Sequence, residues 1–362
     1  MTAHPRAERF DDIAGLVAGR SILVTCGTGG VGKTTTAAAL ALEGARGGRR
    51  ACVVTIDPAK RLADALGLES LTNTPHRIDG RWSGELWALM LDTKGTFDDL
   101  VDRYASRPEQ AQAILANRVY RNISGALSGT QEYMAMEKLY ELHDSGQFDL
   151  VVVDTPPTRS ALDFLDAPDR LTSFLENRLF RLIVTPTRAY LRALSAATQA
   201  FLRTVSRVVG AEVVGDAIAF FEAFAGMEAG FQQRARAVRD LLAAPETGFI
   251  LVTTPRPDAV EEATYFSGKL GEAGIAVAAL IVNRLHPQFG PAVAASGPGG
   301  TVLGQLRDNL ADFRRVSADE EANFAELAAR LAPAPVGRVP LLATDVHDLA
   351  GLGVVADYVV GR

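Results

Sequence analysis

The chain has 362 residues, 48% of them hydrophobic and 22% charged, and its 37 basic and 43 acidic side chains leave a net charge of -6. At roughly 150 residues per domain this length suggests two or three domains, and the composition excludes whole-chain disorder. The acidic balance excludes a global nucleic-acid binder, so no nucleic-acid partner is expected.

Two cysteines, Cys26 and Cys52, and the absence of any CxxC exclude a disulfide-stapled scaffold and a four-cysteine zinc site, so no zinc is expected. The N-terminal MTAHPRAERFDD is polar, with no apolar h-region. The apolar stretch 208–227 carries Glu212, Asp216 and Glu222, which hydrocarbon would not tolerate. The expectation is a cytoplasmic protein, peripheral to the inner face of the membrane at most.

In chain order, residues 21–26 (SILVTC) read as a buried strand, followed by a glycine-rich turn and an alanine-rich helix closed by glycines. A second buried strand ends at Asp57. Similar apolar runs occupy residues 85–91, 149–154, 248–254 and 277–283, with helical stretches between them. This alternation predicts a mostly parallel sheet flanked by helices. Two intervals, residues 97–146 and 169–243, are helical throughout, with apolar residues at i, i+3 and i+4. The expected division is therefore a sheet domain built from residues 1–96, 147–168 and 244–362, with a helical insertion (97–146) and a helical subdomain (169–243). Gly/Pro-rich stretches at 286–301 and 332–340 read as loops.

The chemistry-bearing motif is Gly27-Thr28-Gly29-Gly30-Val31-Gly32-Lys33-Thr34, continued by Thr35, which matches G-x-x-x-x-G-K-[ST] between a strand and a helix. Backbone N–H groups of such a loop and the following helix N-terminus converge on phosphate oxygens. Lys33 is placed to neutralise the β- and γ-phosphates, and the Thr34 hydroxyl to ligate Mg²⁺. The class is a P-loop NTPase, with a nucleoside triphosphate and Mg²⁺ expected. Asp57 and Asp154 each end a predicted strand before a proline turn, where ligands sit in an open α/β sheet. A carboxylate there can hold Mg²⁺ or orient the attacking water.

The segments GTGGVGKTTT, TIDPAKRLADALG and VVVDTPPTRSALDFLDAP together resemble the ATPase family of arsenite-pump catalytic subunits and tail-anchored-protein targeting factors. The resemblance runs from about Ile22 to the C-terminus and is strongest to the actinobacterial anion-transporting ATPase branch. It implies a dimeric Mg-ATPase with a helical subdomain that responds to nucleotide. It also implies that Asp57 orients water, that Asp154 is the switch aspartate near Mg²⁺, and that Asn283 in the Asn283-Arg284 pair meets the adenine. The segment Val339-Pro340-Leu341 would line the base pocket. Gly129-Thr130-Gln131-Glu132 falls where the family has a switch segment.

The family loop usually reads GKGGVGKT, a deviant Walker A whose extra lysine crosses the dimer to the partner's nucleotide. Thr28 takes that lysine's place here. A homodimer would lack both trans lysines, whereas a heterodimer with a lysine-bearing paralogue would regain one. Lys60, Arg61 or Arg159 are unusual at their motif positions and could supply charge in the site. The zinc-clasping CxxC and the arsenite cysteine cluster of the family are also absent.

Seven arginines between Arg170 and Arg207, interleaved with apolar residues, suit either a solvated bundle face or an acidic or membrane-linked client. The sequence thus predicts a switch ATPase coupling ATP state to a client, a membrane protein being one option. The alternative is a non-hydrolysing nucleotide-gated adaptor or a catalytically weak subunit of a heterodimer. A membrane-positioning role of the MinD type would need a basic amphipathic C-terminal helix, which LAGLGVVADYVVGR does not provide.

Overall fold

The computed structural model describes residues 10–57, 60–118, 120–121, 130–155, 216, 219–220, 223, 227–290 and 302–362. In chain order its elements begin with α1 (Ile13–Gly19), β1 (Ile22–Cys26), α2 (Lys33–Arg46), β2 (Arg50–Thr55), α3 (Arg61–Leu66), β3 (His76–Ile78) and β4 (Glu85–Met90). Then follow α4 (Thr93–Tyr104), α5 (Pro108–Ala116), α6 (Thr130–Asp144), β5 (Leu150–Asp154) and α7 (Glu228–Ala243). The last are β6 (Thr247–Thr253), α8 (Pro257–Glu272), β7 (Val277–Leu285), α9 (Val302–Leu331), β8 (Val336–Pro340) and α10 (Leu349–Val360). Contacts divide the chain into two compact units, one of Met1–Met90, Glu141–Leu162 and Ala243–Arg362, the other of Leu91–Tyr140 and Asp163–Leu242.

The first unit carries an eight-stranded sheet in the order β3-β4-β2-β5-β1-β6-β7-β8. Every pairing is parallel except β3 with β4, so the expected α/β class with a mostly parallel sheet is what the chain forms. β1 and β5 are buried at every position, which is why both read as unbroken apolar runs rather than alternating ones. Helix α2 covers β1, β2 and β5 with a face of small side chains, Ala37, Ala38, Ala41 and Ala45 all being fully buried. Alanine favours the helix and lets it approach the sheet closely.

The C-terminal helix α10 packs against α2. Asp348 caps it by accepting from the Gly351 N–H at 2.7 Å, and Arg46 reaches Asp357 at 2.7 Å. Its apolar residues Leu352, Val355, Ala356 and Val359 are buried, so they build the core rather than a surface anchor.

Two strands depart from the sequence expectation. Residues 332–340 read as a loop, yet Val336–Pro340 pairs with β7 as β8. VGRVP offers only two β-branched residues and ends in proline, a pattern tolerated at a sheet edge, where one side needs no donors. β3 is only three residues long and pairs antiparallel at the opposite edge, too short for a periodic signal.

The second unit, in its described part, is helical. Phe97 stacks on Tyr120 at 5.3 Å, and Phe231 meets Tyr104 at 5.2 Å. Glu137, only 1% exposed, accepts from Arg234 Nε at 2.7 and 2.9 Å, while that guanidinium lies 3.8 Å from the Tyr140 ring centre. A carboxylate this deep is tolerable only because its cation is buried beside it. The arginine-rich stretch 170–207, Arg159 and Gly129 lie outside the described residues, as does the Glu132 side chain. Among the described residues no helix is long and apolar enough to cross a membrane.

Candidate nucleotide site

The site forms where β1, β5 and β2 end side by side. In the register Thr25 of β1 and Thr55 of β2 flank Asp154 of β5, so three polar side chains terminate three apolar strands in one row. The crossovers leave β1 and β5 in opposite directions, which opens a crevice at their C-terminal ends. Into that crevice the chain turns from Cys26 through residues 27–32 and enters α2 at Lys33.

Two glycines make the turn feasible. Gly27 has φ +148° and a Cβ there would lie 2.1 Å from the Val252 carbonyl oxygen; Gly32 has φ +97° and a Cβ there would lie 2.1 Å from Asn283 Nδ2. No other residue fits either position without displacing backbone or breaking the Asn283 contact. Asn283 Nδ2 donates to the Val31 carbonyl at 2.9 Å, so β7 braces the loop from outside.

Within the loop, Lys33 is 6% exposed and its Nζ donates to the Thr28 carbonyl at 2.8 Å. Burial pushes its pKa below the usual lysine value; the charges of Asp154, Cys26 and Asp57 oppose this, and Arg61 adds to it. Thr34 Oγ1 and Thr55 Oγ1 both donate to Asp154 Oδ2, at 2.7 and 2.8 Å. The other carboxylate oxygen, Oδ1, is buried without a hydrogen-bond partner. Burial raises the Asp154 pKa from 3.8 to about 6, against the pull of Thr34, Thr55 and Lys33. Among the described residues nothing satisfies this buried acceptor, a costly arrangement, and it stands beside the Thr34 hydroxyl at the start of α2.

That donor set fits Mg²⁺. The ion takes hard oxygen ligands, keeps several waters, and is commonly held by one or two protein oxygens plus substrate phosphates. Among the described residues there is no group of three or more His, Cys, Asp or Glu that could cage a metal alone. Thr34 and Asp154 are thus brought together. Asp57 stands one strand away at the end of β2, its Oδ2 3.7 Å from Arg61 and its N–H bonded to Thr55 Oγ1 at 3.3 Å.

On the outer side of the loop lies a cleft of about 1180 Å³, lined by residues 27–31 together with Arg256, Tyr265, Arg284, His286 and Leu341. That volume is ample for a mononucleotide. Asn283, Arg284 and Pro340 therefore gather at one end of β7 and β8, with Leu341 N bonded to the Leu285 carbonyl at 2.7 Å. Arg284 takes a positive φ of 63°, and its N–H donates to Asn283 Oδ1 at 2.9 Å. Thr35 follows Thr34 in the first turn of α2.

Sequence reasoning did not single out Thr55, although a lone hydroxyl at the end of an apolar strand was a usable signal. It also passed over the His286–Glu320 pair at the cleft, where Glu320 accepts the His286 N–H and meets Nδ1, both at 2.7 Å. Thirty-four positions separate these two, and no local pattern links them. Cys26 and Cys52 are both buried in the strands, and burial pushes Cys26 up to about 12.

The family model described as anion-transporting ATPase matches residues 20–292. An uncharacterised protein of Streptomyces coelicolor is 30% identical over 297 residues, covering 82% of this chain and 69% of its own length. A protein of Aspergillus terreus named ATPase get3 is 30% identical over 150 residues, 41% of this chain and 43% of that protein. A protein of Aquifex aeolicus named for an arsenical pump-driving ATPase is 23% identical over 363 residues, 94% of this chain and 78% of that protein.

Proposed function

The chain belongs to the anion-transporting ATPase family, and from that premise we propose that it is a dimeric Mg-ATPase switch whose nucleotide state controls a client-facing helical region. ATP is the nucleotide and its γ-phosphate the reacting group. The observation that carries this reading is the unpartnered Asp154 Oδ1 beside Thr34, a ready ligand position at the head of the loop.

In this mechanism the N–H groups of residues 27–35 and the α2 N-terminus receive the phosphates. Lys33 gives up the Thr28 carbonyl and turns its ammonium to the β- and γ-phosphates, exchanging a neutral acceptor for charged ones. Thr34 and Asp154 would hold Mg²⁺, which would supply neutralisation of phosphate charge. Asp57 orients the water that attacks the γ-phosphate, and Lys33 stabilises the charge developing on the transferred group. Asn283, Arg284 and Pro340 border the base. Residues 97–146 and 169–243 form the helical part that answers to nucleotide, and a membrane protein is the client class. The protein acts in the cytoplasm.

Thr28 carries a second reading. Without the trans lysine, a homodimer is a slow hydrolase or a nucleotide-gated adaptor, and a lysine-bearing paralogue completes a faster heterodimer. The test is ATP turnover of the purified chain against its Thr28→Lys variant and against a mixture with such a paralogue. The heterodimer reading expects turnover to rise in both arms. A wild-type chain already as fast as either would remove the reason for it.

A further inference from the structure

The loop itself offers a nucleotide only one charged side chain, Lys33, because Thr28 is neutral. A γ-phosphate is the most highly charged part of ATP, and phosphoryl-transfer sites usually meet it with more than one cation. Among the described residues of the first unit, the further cations to weigh include Arg61, Arg256 and Arg284. Arg256 is 74% exposed and engaged with Asp258 at 2.9 Å. Arg284 borders the cleft on the outer side of the loop, away from the strand ends that carry Asp57 and Asp154.

Arg61 stands on the other side. Its guanidinium lies 3.7 Å from Asp57 Oδ2, the carboxylate at the end of β2. Its positive charge helps to lower the Lys33 pKa. Asp57 in turn acts on both Lys33 and Asp154. Arg61, Asp57, Lys33 and Asp154 therefore share one electrostatic pocket around the position a γ-phosphate would take. The Arg61 side chain is 62% exposed, so little packing holds it where it is.

We propose that Arg61 is the second phosphate-binding cation of this chain, supplied in cis: when ATP binds, its guanidinium leaves Asp57 for the γ-phosphate. The exchange is downhill. The Arg61–Asp57 pair, with the arginine exposed and the carboxylate largely buried, is 3.7 Å apart and beyond hydrogen-bond distance, while a guanidinium matches a phosphate with two parallel, charge-assisted hydrogen bonds.

This rests on the nucleotide reading above, and the experiment separates the two. Affinities for a non-hydrolysable ATP analogue and for ADP, both with Mg²⁺, are measured by calorimetry on wild type, Arg61→Ala and Arg61→Lys. The exposed site lets both variants fold. Arg61→Ala is expected to weaken the ATP analogue by about tenfold or more while ADP stays within about twofold. Arg61→Lys keeps the charge but not the fork and falls between. A cation that is merely nearby attracts both polyphosphates without touching the γ-phosphate, so its removal weakens both by a similar factor. Unchanged affinities, or equal shifts for the two nucleotides, overturn the proposal while leaving the nucleotide site intact. Failure of the wild type to bind either nucleotide overturns both.

Discussion

Replacing Asp154 by Asn separates the cost of this carboxylate from its use. Asp154 is 1% exposed, and burial raises its pKa from 3.8 to about 6. At 1.36 kcal/mol per unit that corresponds to roughly 3 kcal/mol of disfavoured ionisation. A folded pKa above the unfolded one means the carboxyl stabilises most when protonated. Its contribution is full below pH 3.8 and is lost as pH rises through about 6. Asparagine keeps the acceptor for Thr34 and Thr55 but puts an N–H₂ where Oδ1 already lacks a partner, at a cost of about 1–3 kcal/mol. Asp154→Asn should therefore be less stable than wild type near pH 4.5 and equal or more stable, by up to about 2 kcal/mol, at pH 8. Thermal unfolding in EDTA across that range, followed by circular dichroism, reads the difference. With Mg-ADP added, only the wild type should gain stability. Parallel pH profiles for the two proteins would refute the reasoning, because the burial of an ionising Asp154 would then not be felt by the fold.

Gly32→Ala should lower stability by about 2–4 kcal/mol, from a strained φ of +97° and loss of the Asn283 brace on Val31. It should also abolish nucleotide binding, which calorimetry on the folded fraction checks. In the helical unit, Glu137→Ala leaves the largely buried Arg234 without its carboxylate and should cost about 3–5 kcal/mol. Hydrogen exchange should then show faster opening of residues 130–144 and 228–243.

The loop and the strand ends were legible because their information is local. A strand, six loop residues and Lys33-Thr34 lie within fourteen positions, and an apolar run ending in aspartate marks β5 by itself. What stayed hidden depends on which strands are neighbours. Thr55 and Asp154 are 99 positions apart, and only the placing of β5 between β1 and β2 joins them. The bracing of the loop by Asn283 spans 252 positions and reverses the obvious reading of that side chain, whose amide nitrogen donates to the Val31 carbonyl. β8 was missed for a related reason: VGRVP becomes a strand because β7 supplies an edge, not because its own residues demand one.

The most direct measurement of the central claim is equilibrium binding of ATP to the purified chain and to Lys33→Ala, each with Mg²⁺ and with EDTA. Wild type should bind ATP, bind it more tightly with Mg²⁺, and lose about a hundredfold or more in affinity without the Lys33 ammonium, which donates to the Thr28 carbonyl it would release. Equal binding by the two proteins, or binding indifferent to Mg²⁺, would contradict the account of Lys33, Thr34 and Asp154 as a Mg-nucleotide site.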